Sequence, residues 1–166
     1  MDNKSTCELY VAEIKSETVA TKKCLERIPS TLFDFKPHET SMKMGYLVLL
    51  VAEIPGWITT MIRDSEIDLT TYPHLEFKDT ETLVKHYQEG VADAISALEN
   101  ITDEQINTKF VLKQKGQVVW QVDKLQGIGE TINHWVHHRG QLTVYMRLNG
   151  IAVPSIYGPS ADDKGF

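Results

Sequence analysis

Residues Asn133 to Gln141 read Asn-His-Trp-Val-His-His-Arg-Gly-Gln and hold half of the chain's six histidines. His134 and His138 are four apart, so a helix sets them one turn apart on the same side. Two imidazoles at that spacing can bind one divalent metal ion. His137 lies about 100° around the helix from His138 and cannot easily join the pair. Two readings stay open for these residues: a metal site, or ordinary surface histidines. A helical wheel places Ile128, Ile132, Trp135 and Met146 on the apolar face, with His134 roughly 130° and His138 roughly 90° from its centre. The pair therefore flanks the core. It shares a stripe with Glu130, Gln141 and Tyr145 that could line a cleft, face a dimer partner or face water. The same wheel puts Arg139 on the apolar side, where an unpaired charge is costly. His38, His74 and His86 have no partners at a useful spacing and read as surface residues.

Four helical stretches must position this run. The first spans about Thr6 to Arg27, with Leu9, Ala12, Ile14, Val19 and Leu25 on its apolar side, and Pro29-Ser30 ends it. A linker through Phe33, Phe35 and Pro37 leads to Ser41, a candidate N-cap. The second helix spans about Met42 to Asp64. Its Met44, Leu47, Val48, Val51, Ile54, Ile58, Met61 and Ile62 repeat at three-four spacing, and Pro55 should kink it. Ser65 to Asp79, containing Tyr72-Pro73-His74, forms a long crossover that lets consecutive helices lie parallel. The third helix spans about Thr80 to Asn100, capped by Asp79 or Thr80. Phe110-Val111-Leu112 and Gln117-Val118-Val119-Trp120 then read as two short strands around a Gly116 turn. The fourth helix covers about Asp123 to Asn149, and residues 151–166 form an extended tail. The reading is all-α: a four-helix bundle with a long crossover between helices 2 and 3, plus a small β-hairpin before helix 4.

Bulk properties narrow the function classes. The 166 residues fit one domain, 1–166. A net charge of −6, from 17 basic and 23 acidic residues, argues against a nucleic-acid partner. Lys109, Lys113 and Lys115 read as a solvated loop. Cys7 and Cys24 both fall in the first helix, about 25 Å apart along it, so they cannot pair with each other and read as free thiols of a reducing compartment. The polar N-terminus carries no signal-peptide core, and the apolar stretch Gly45 to Ala52 stops at Glu53, too short to span a membrane. A cytoplasmic protein with no membrane partner is expected.

The run Asn133-His134-x-x-His137-His138-Arg139-Gly140-Gln141-Leu142, followed by Tyr145-x-Arg147-x-x-Gly150, resembles the last-helix signature of the DinB family. The tail from Val153-Pro154-Ser155 to Asp162 is similar to the C-terminus of one branch of that family. So are Gly45-Tyr46-Leu47 and Ala52-Glu53-Ile54-Pro55-Gly56-Trp57 in the second helix. The likeness covers nearly the whole chain, and the histidine run is its specific part. It implies an up-down-down-up four-helix bundle, often a homodimer, holding a divalent metal, often nickel or zinc, on three histidines. Two of these would be His134 and His138. The third falls just before the Ala52–Trp57 stretch, where this chain has Leu50, and leucine cannot ligate a metal. Glu53, three residues on and about 60° around the helix, is the carboxylate that could complete the site as a third metal ligand. Its alternative reading is an ion pair with Arg139.

The resemblance implies a metal-dependent thiol S-transferase or hydrolase-like enzyme with an altered site, acting on a small molecule with a low-molecular-weight thiol as cofactor. The alternative is a non-catalytic, stress-related binding or dimerisation protein that has lost the third histidine. A third reading is a small-molecule-binding bundle with its cleft between the second and last helices, walled by Trp57 and Trp135.

Overall fold

A computed structural model describes residues 2–165; Met1 and Phe166, the two ends of the expected 1–166 span, lie outside the described residues. The elements in chain order are α1 (Asn3–Glu26), α2 (Met44–Arg63), β1 (Glu66–Asp68), α3 (Thr80–Glu99), a single-turn α4 (Asp103–Ile106), β2 (Lys109–Gln114), β3 (Gln117–Asp123) and α5 (Lys124–Leu148). A short 3₁₀ turn, Ser30–Leu32, follows α1.

The four long helices form the expected bundle. α2 packs on α3 and α5, α1 packs on the same two, and α1 and α2 sit diagonally with little contact. Side-chain contacts fix the directions. Tyr10 meets Leu125 and Glu17 meets Arg139, so α1 and α5 run parallel. Thr80 donates to Ile28 O and Lys15 reaches Glu99, so α1 and α3 are antiparallel. Thr131 meets Met61 while Tyr145 meets Met42, so α2 and α5 are antiparallel. The order is up-down-down-up, and the crossover between α2 and α3 is what permits it.

α2 is the core helix. It is long and apolar enough to cross a membrane by composition alone, and 72% of that apolar window is buried inside the protein. It continues through Pro55. It meets α3 where Gly56 faces Gly90: a β-carbon on Gly90 would lie 3.4 Å from Gly56 N and 3.6 Å from Gly56 Cα. Its N-terminus lies at Met44, two residues after the expected start, with Lys43 and not Ser41 at the cap position. The reason is local: Met44 and Gly45 N–H donate to Phe35 O (2.8 Å) and Phe33 O (2.8 Å), so carbonyls of the linker satisfy the first free donors. α1 also starts earlier than expected, because Asp2 accepts the Ser5 N–H and caps it. Ile14 and Leu25 are buried as expected, but Leu9 and Val19 are exposed, and Cys7, Val11 and Cys24 join the inner face together with Glu17 and Thr21. The two cysteines are free, and burial pushes the Cys24 thiol up to about 11.

The hairpin forms with Lys115 and Gly116 both at positive φ, as a two-residue type I′ turn demands. A strand not foreseen joins it. β1 pairs in parallel with β2, giving a three-stranded sheet of order β1-β2-β3. Three residues are too few to show a period-two pattern, which is why β1 could not be read from sequence. Asp68 secures it by accepting the N–H groups of Thr70 (2.9 Å) and Gly116 (2.7 Å). Buried Lys124, whose pKa burial lowers, donates to Ser65 Oγ (2.8 Å) and so ties the start of α5 to the end of α2.

The tail folds back onto the bundle. Arg147 pairs with Asp162 (2.5 Å), which also accepts the Val153 N–H. Asp162 is thus exposed yet paired.

Candidate functional site

His134 and His138 do converge. Their Nε2 atoms lie 2.8 Å apart, and His138 Nδ1 lies 2.8 Å from Gln141 Oε1. His138 is buried at 7% exposure, while His134 stands at the surface against the Trp57 ring, 5.8 Å away between centroids. The bonds dictate the tautomers. Gln141 Oε1 only accepts, so His138 carries its proton on Nδ1 and offers Nε2 as an acceptor. His134 then donates from Nε2, and its Nδ1 keeps a lone pair. Gln141, read as part of a polar stripe, orients His138.

Both rings hold their pKa below the ordinary value of about 6.5. For His138 burial is the main cause, reinforced by His137 and opposed by the Gln141 bond. For His134 partial burial leads, followed by the neighbouring charges of His138 and His137. The unfolded chain therefore binds more protons than the folded one below about pH 6.5. This contribution to stability is complete above that pH and is lost as pH falls below it. The melting temperature should drop between about pH 7 and about pH 5, and less steeply in His138→Gln. Parallel curves for the two proteins would show that the pair does not carry the effect.

Glu53 is not at the pair. It is buried (4% exposed), and both of its oxygens are engaged: Oε2 by His74 Nδ1 and Oε1 by the Leu75 N–H, each at 2.7 Å. The expected Glu53–Arg139 ion pair does not form. Arg139 turns instead to α1, where Nη1 pairs with the Glu17 carboxylate and reaches Thr21 Oγ1 (3.1 Å), while Nη2 donates to Tyr157 Oη (2.8 Å). Tyr157 in turn donates to Glu17 Oε2 (3.1 Å). His74 lies at the surface as expected, its side chain 44% exposed, but it does have a partner: a carboxylate 21 positions away. Among the described residues no three His, Cys, Asp or Glu side chains converge in a way that could hold a metal ion.

Beside His134 opens an apolar cavity of about 240 Å³ between α2, the sheet and α5. Trp57, Tyr72 and Trp120 supply aromatic walls, Leu69 and Leu112 aliphatic ones, and His74 and His134 the polar points. The crossover is seated there by Tyr72, packed edge-on against Trp57 (6.1 Å) and His74 (5.9 Å). Trp135, expected as a wall, lies in the core against Tyr87, and Trp120 of β3 takes its place. Tyr145, expected on the surface, is buried and donates to Met42 O (3.1 Å). A roomier cleft of about 360 Å³ between α1 and residues 98–106 is lined by Lys4, Glu8, Glu99 and Asp103 and holds no histidine. The cleft on α1 has apolar walls too, in Val11, Leu98, Ile101 and Ile106, but the cavity beside His134 adds aromatic walls and convergent imidazoles, the usual make-up of a ligand site.

The family model described as DinB family matches residues 1–164. Among related sequences, the uncharacterized protein YjoA of Bacillus subtilis (strain 168) is 26% identical over 147 residues, covering 84% of this chain and 88% of YjoA. The uncharacterized protein YrdA of the same organism is 56% identical over 32 residues, 19% of each chain, so the matched part is about a fifth of YrdA's length. The crystal structure of the DinB-like protein YjoA from Bacillus subtilis superposes with a TM-score of 0.69 at 22% identity, covering 94% of this chain and 99% of that one. A DinB-like protein from Bacillus cereus ATCC 10987 gives 0.67 at 23% identity, over 90% and 97%. These structures share the fold, and the match of the family model over nearly the whole length settles the assignment: the chain belongs to the DinB family.

Proposed function

We propose that this DinB protein binds a small aromatic molecule in the cavity between α2, the sheet and α5, with the His134–His138 pair at its edge. The observation that carries this reading is the cavity itself: about 240 Å³, walled by Trp57, Tyr72 and Trp120, with imidazoles as its polar points. A dry cavity of about 150 Å³ already accepts a benzene ring, so one substituted ring fits here.

The residues present do not fit a three-histidine metal centre. Leu50 stands at the third position, Glu53 is committed to His74 and Leu75, and the two remaining donors satisfy each other through Nε2. A thiol-transfer reaction that depends on such a centre is therefore not the reading adopted. The meeting of two Nε2 atoms favours one secondary reading, in which added nickel or zinc is held weakly by His134 and His138 with water or a ligand thiol in the remaining positions.

Thermal unfolding with added 4-fluorotoluene tests the first reading. A ligand that binds only the folded chain must raise the melting temperature. The wild type should be stabilised, and Thr131→Phe, which fills the cavity from α5, should not be. No stabilisation of the wild type would overturn the proposal. Calorimetric titration with nickel tests the second reading: heat lost in His134→Ala supports it, and no heat in the wild type removes it.

A further inference from the structure

Glu53 and His74 form an arrangement that neither the fold nor the histidine pair requires. A carboxylate buried in the core helix accepts from an imidazole on the crossover, and that imidazole is part of the cavity wall. Because Glu53 is acceptor-only when ionised, His74 must carry a proton on Nδ1. In the neutral ring this leaves the lone pair on Nε2, the one nitrogen of His74 without a partner. Pro73 restricts the chain just before it, Leu75 N–H is held by the other oxygen of Glu53, and Tyr72 packs on the ring. The tautomer and the position of His74 are both set by its neighbours.

The wall thus offers one oriented acceptor, His74 Nε2, in a largely aromatic and aliphatic lining. A hydroxyl group is the simple chemistry that answers it, since its hydrogen can be donated to the lone pair.

Resting on the cavity reading above, we infer that the site selects phenols: the ring fills the aromatic space and the hydroxyl donates to His74 Nε2. His74 is the specificity residue and Glu53 positions it. An aromatic molecule with fluorine or hydrogen in place of the hydroxyl fills the same space without this bond.

The test compares 4-methylphenol with 4-fluorotoluene, by calorimetry on the full chain, in the wild type, His74→Phe and Glu53→Gln. The ratio of the two affinities should shift by about tenfold against the phenol in His74→Phe, the size expected for one lost hydrogen bond. Glu53→Gln should shift the ratio in the same direction but by less, because a phenol is a stronger donor than acceptor and can still accept across the reversed bond. Its single carbonyl oxygen is claimed by the Leu75 N–H, so its amide N–H faces His74 Nδ1 and forces the proton to Nε2, turning the acceptor into a donor. Binding of 4-fluorotoluene should stay unchanged in Glu53→Gln, which a merely structural role of the carboxylate would not predict. An affinity ratio equal in wild type and His74→Phe overturns the phenol inference while leaving the cavity reading intact. Failure of both compounds to bind the wild type overturns both.

Discussion

Truncating Glu17 to alanine is expected to destabilise the fold by about 3–5 kcal/mol, the range for stranding one member of a buried ion pair. Arg139 is 2% exposed and its guanidinium is turned inward between α1 and α5. Without the Glu17 carboxylate it keeps only neutral partners, Thr21, Tyr157 and the backbone carbonyl of residue 17, and Nε already has none. For a chain of this length such a loss lowers the melting temperature by roughly 10 °C. The double variant Glu17→Met with Arg139→Met should recover most of it, because apolar side chains of similar volume no longer leave a charge in the core. Urea unfolding of the single and double variants checks this. A loss below about 1 kcal/mol in Glu17→Ala, the scale of a surface pair, would show that water reaches Arg139.

Gly90→Leu should cost about 3 kcal/mol, at the upper end of overpacking, whereas Gly90→Ala should be neutral or stabilising. The two differ because of where α2 and α3 touch. An alanine methyl at 3.4 Å from Gly56 N and 3.6 Å from its Cα makes ordinary contact, and it improves helix propensity by up to about 1 kcal/mol. A leucine must push against helix backbone, which cannot rotate away as a side chain can. Denaturation midpoints of both variants decide the matter, and equal stabilities would mean that the helices separate freely at this crossing.

The bundle was legible because its signals are periodic. The three-four spacing of α2, the length of the 65–79 segment and the turn around Gly116 each constrain topology without reference to distant residues. The His134–His138 convergence was legible for the same reason, since i, i+4 spacing is a local property of a helix. Pairings between elements were not. Glu53 was read against Arg139 because both lie toward the core on their own helices, yet which charges meet depends on rotation of α1 and on the path of the crossover. The buried Glu17 and Thr21 of α1 also masked the inner face of that helix, so Leu9 and Val19 looked like core. His74 shows the limit most clearly: it occupies an aperiodic segment, its partner is 21 residues away, and only its place beside Tyr72-Pro73 marked the stretch as structured.

β1 reaches β2 only after the chain has passed through α3 and α4, so this pairing closes a loop of about 45 residues. The entropy lost in that closure is offset only when the intervening helices are already docked, and a three-residue strand contributes little of its own. The sheet side of the aromatic cavity is therefore a late-assembling, early-opening unit, distinct in local opening free energy from the bundle beneath it. Foldedness and an enclosed cavity become separable in this molecule: a chain can keep its four helices while the sheet side stands open, and any occupant bridging Trp57 and Trp120 would act as a clasp on the very strands that enclose it.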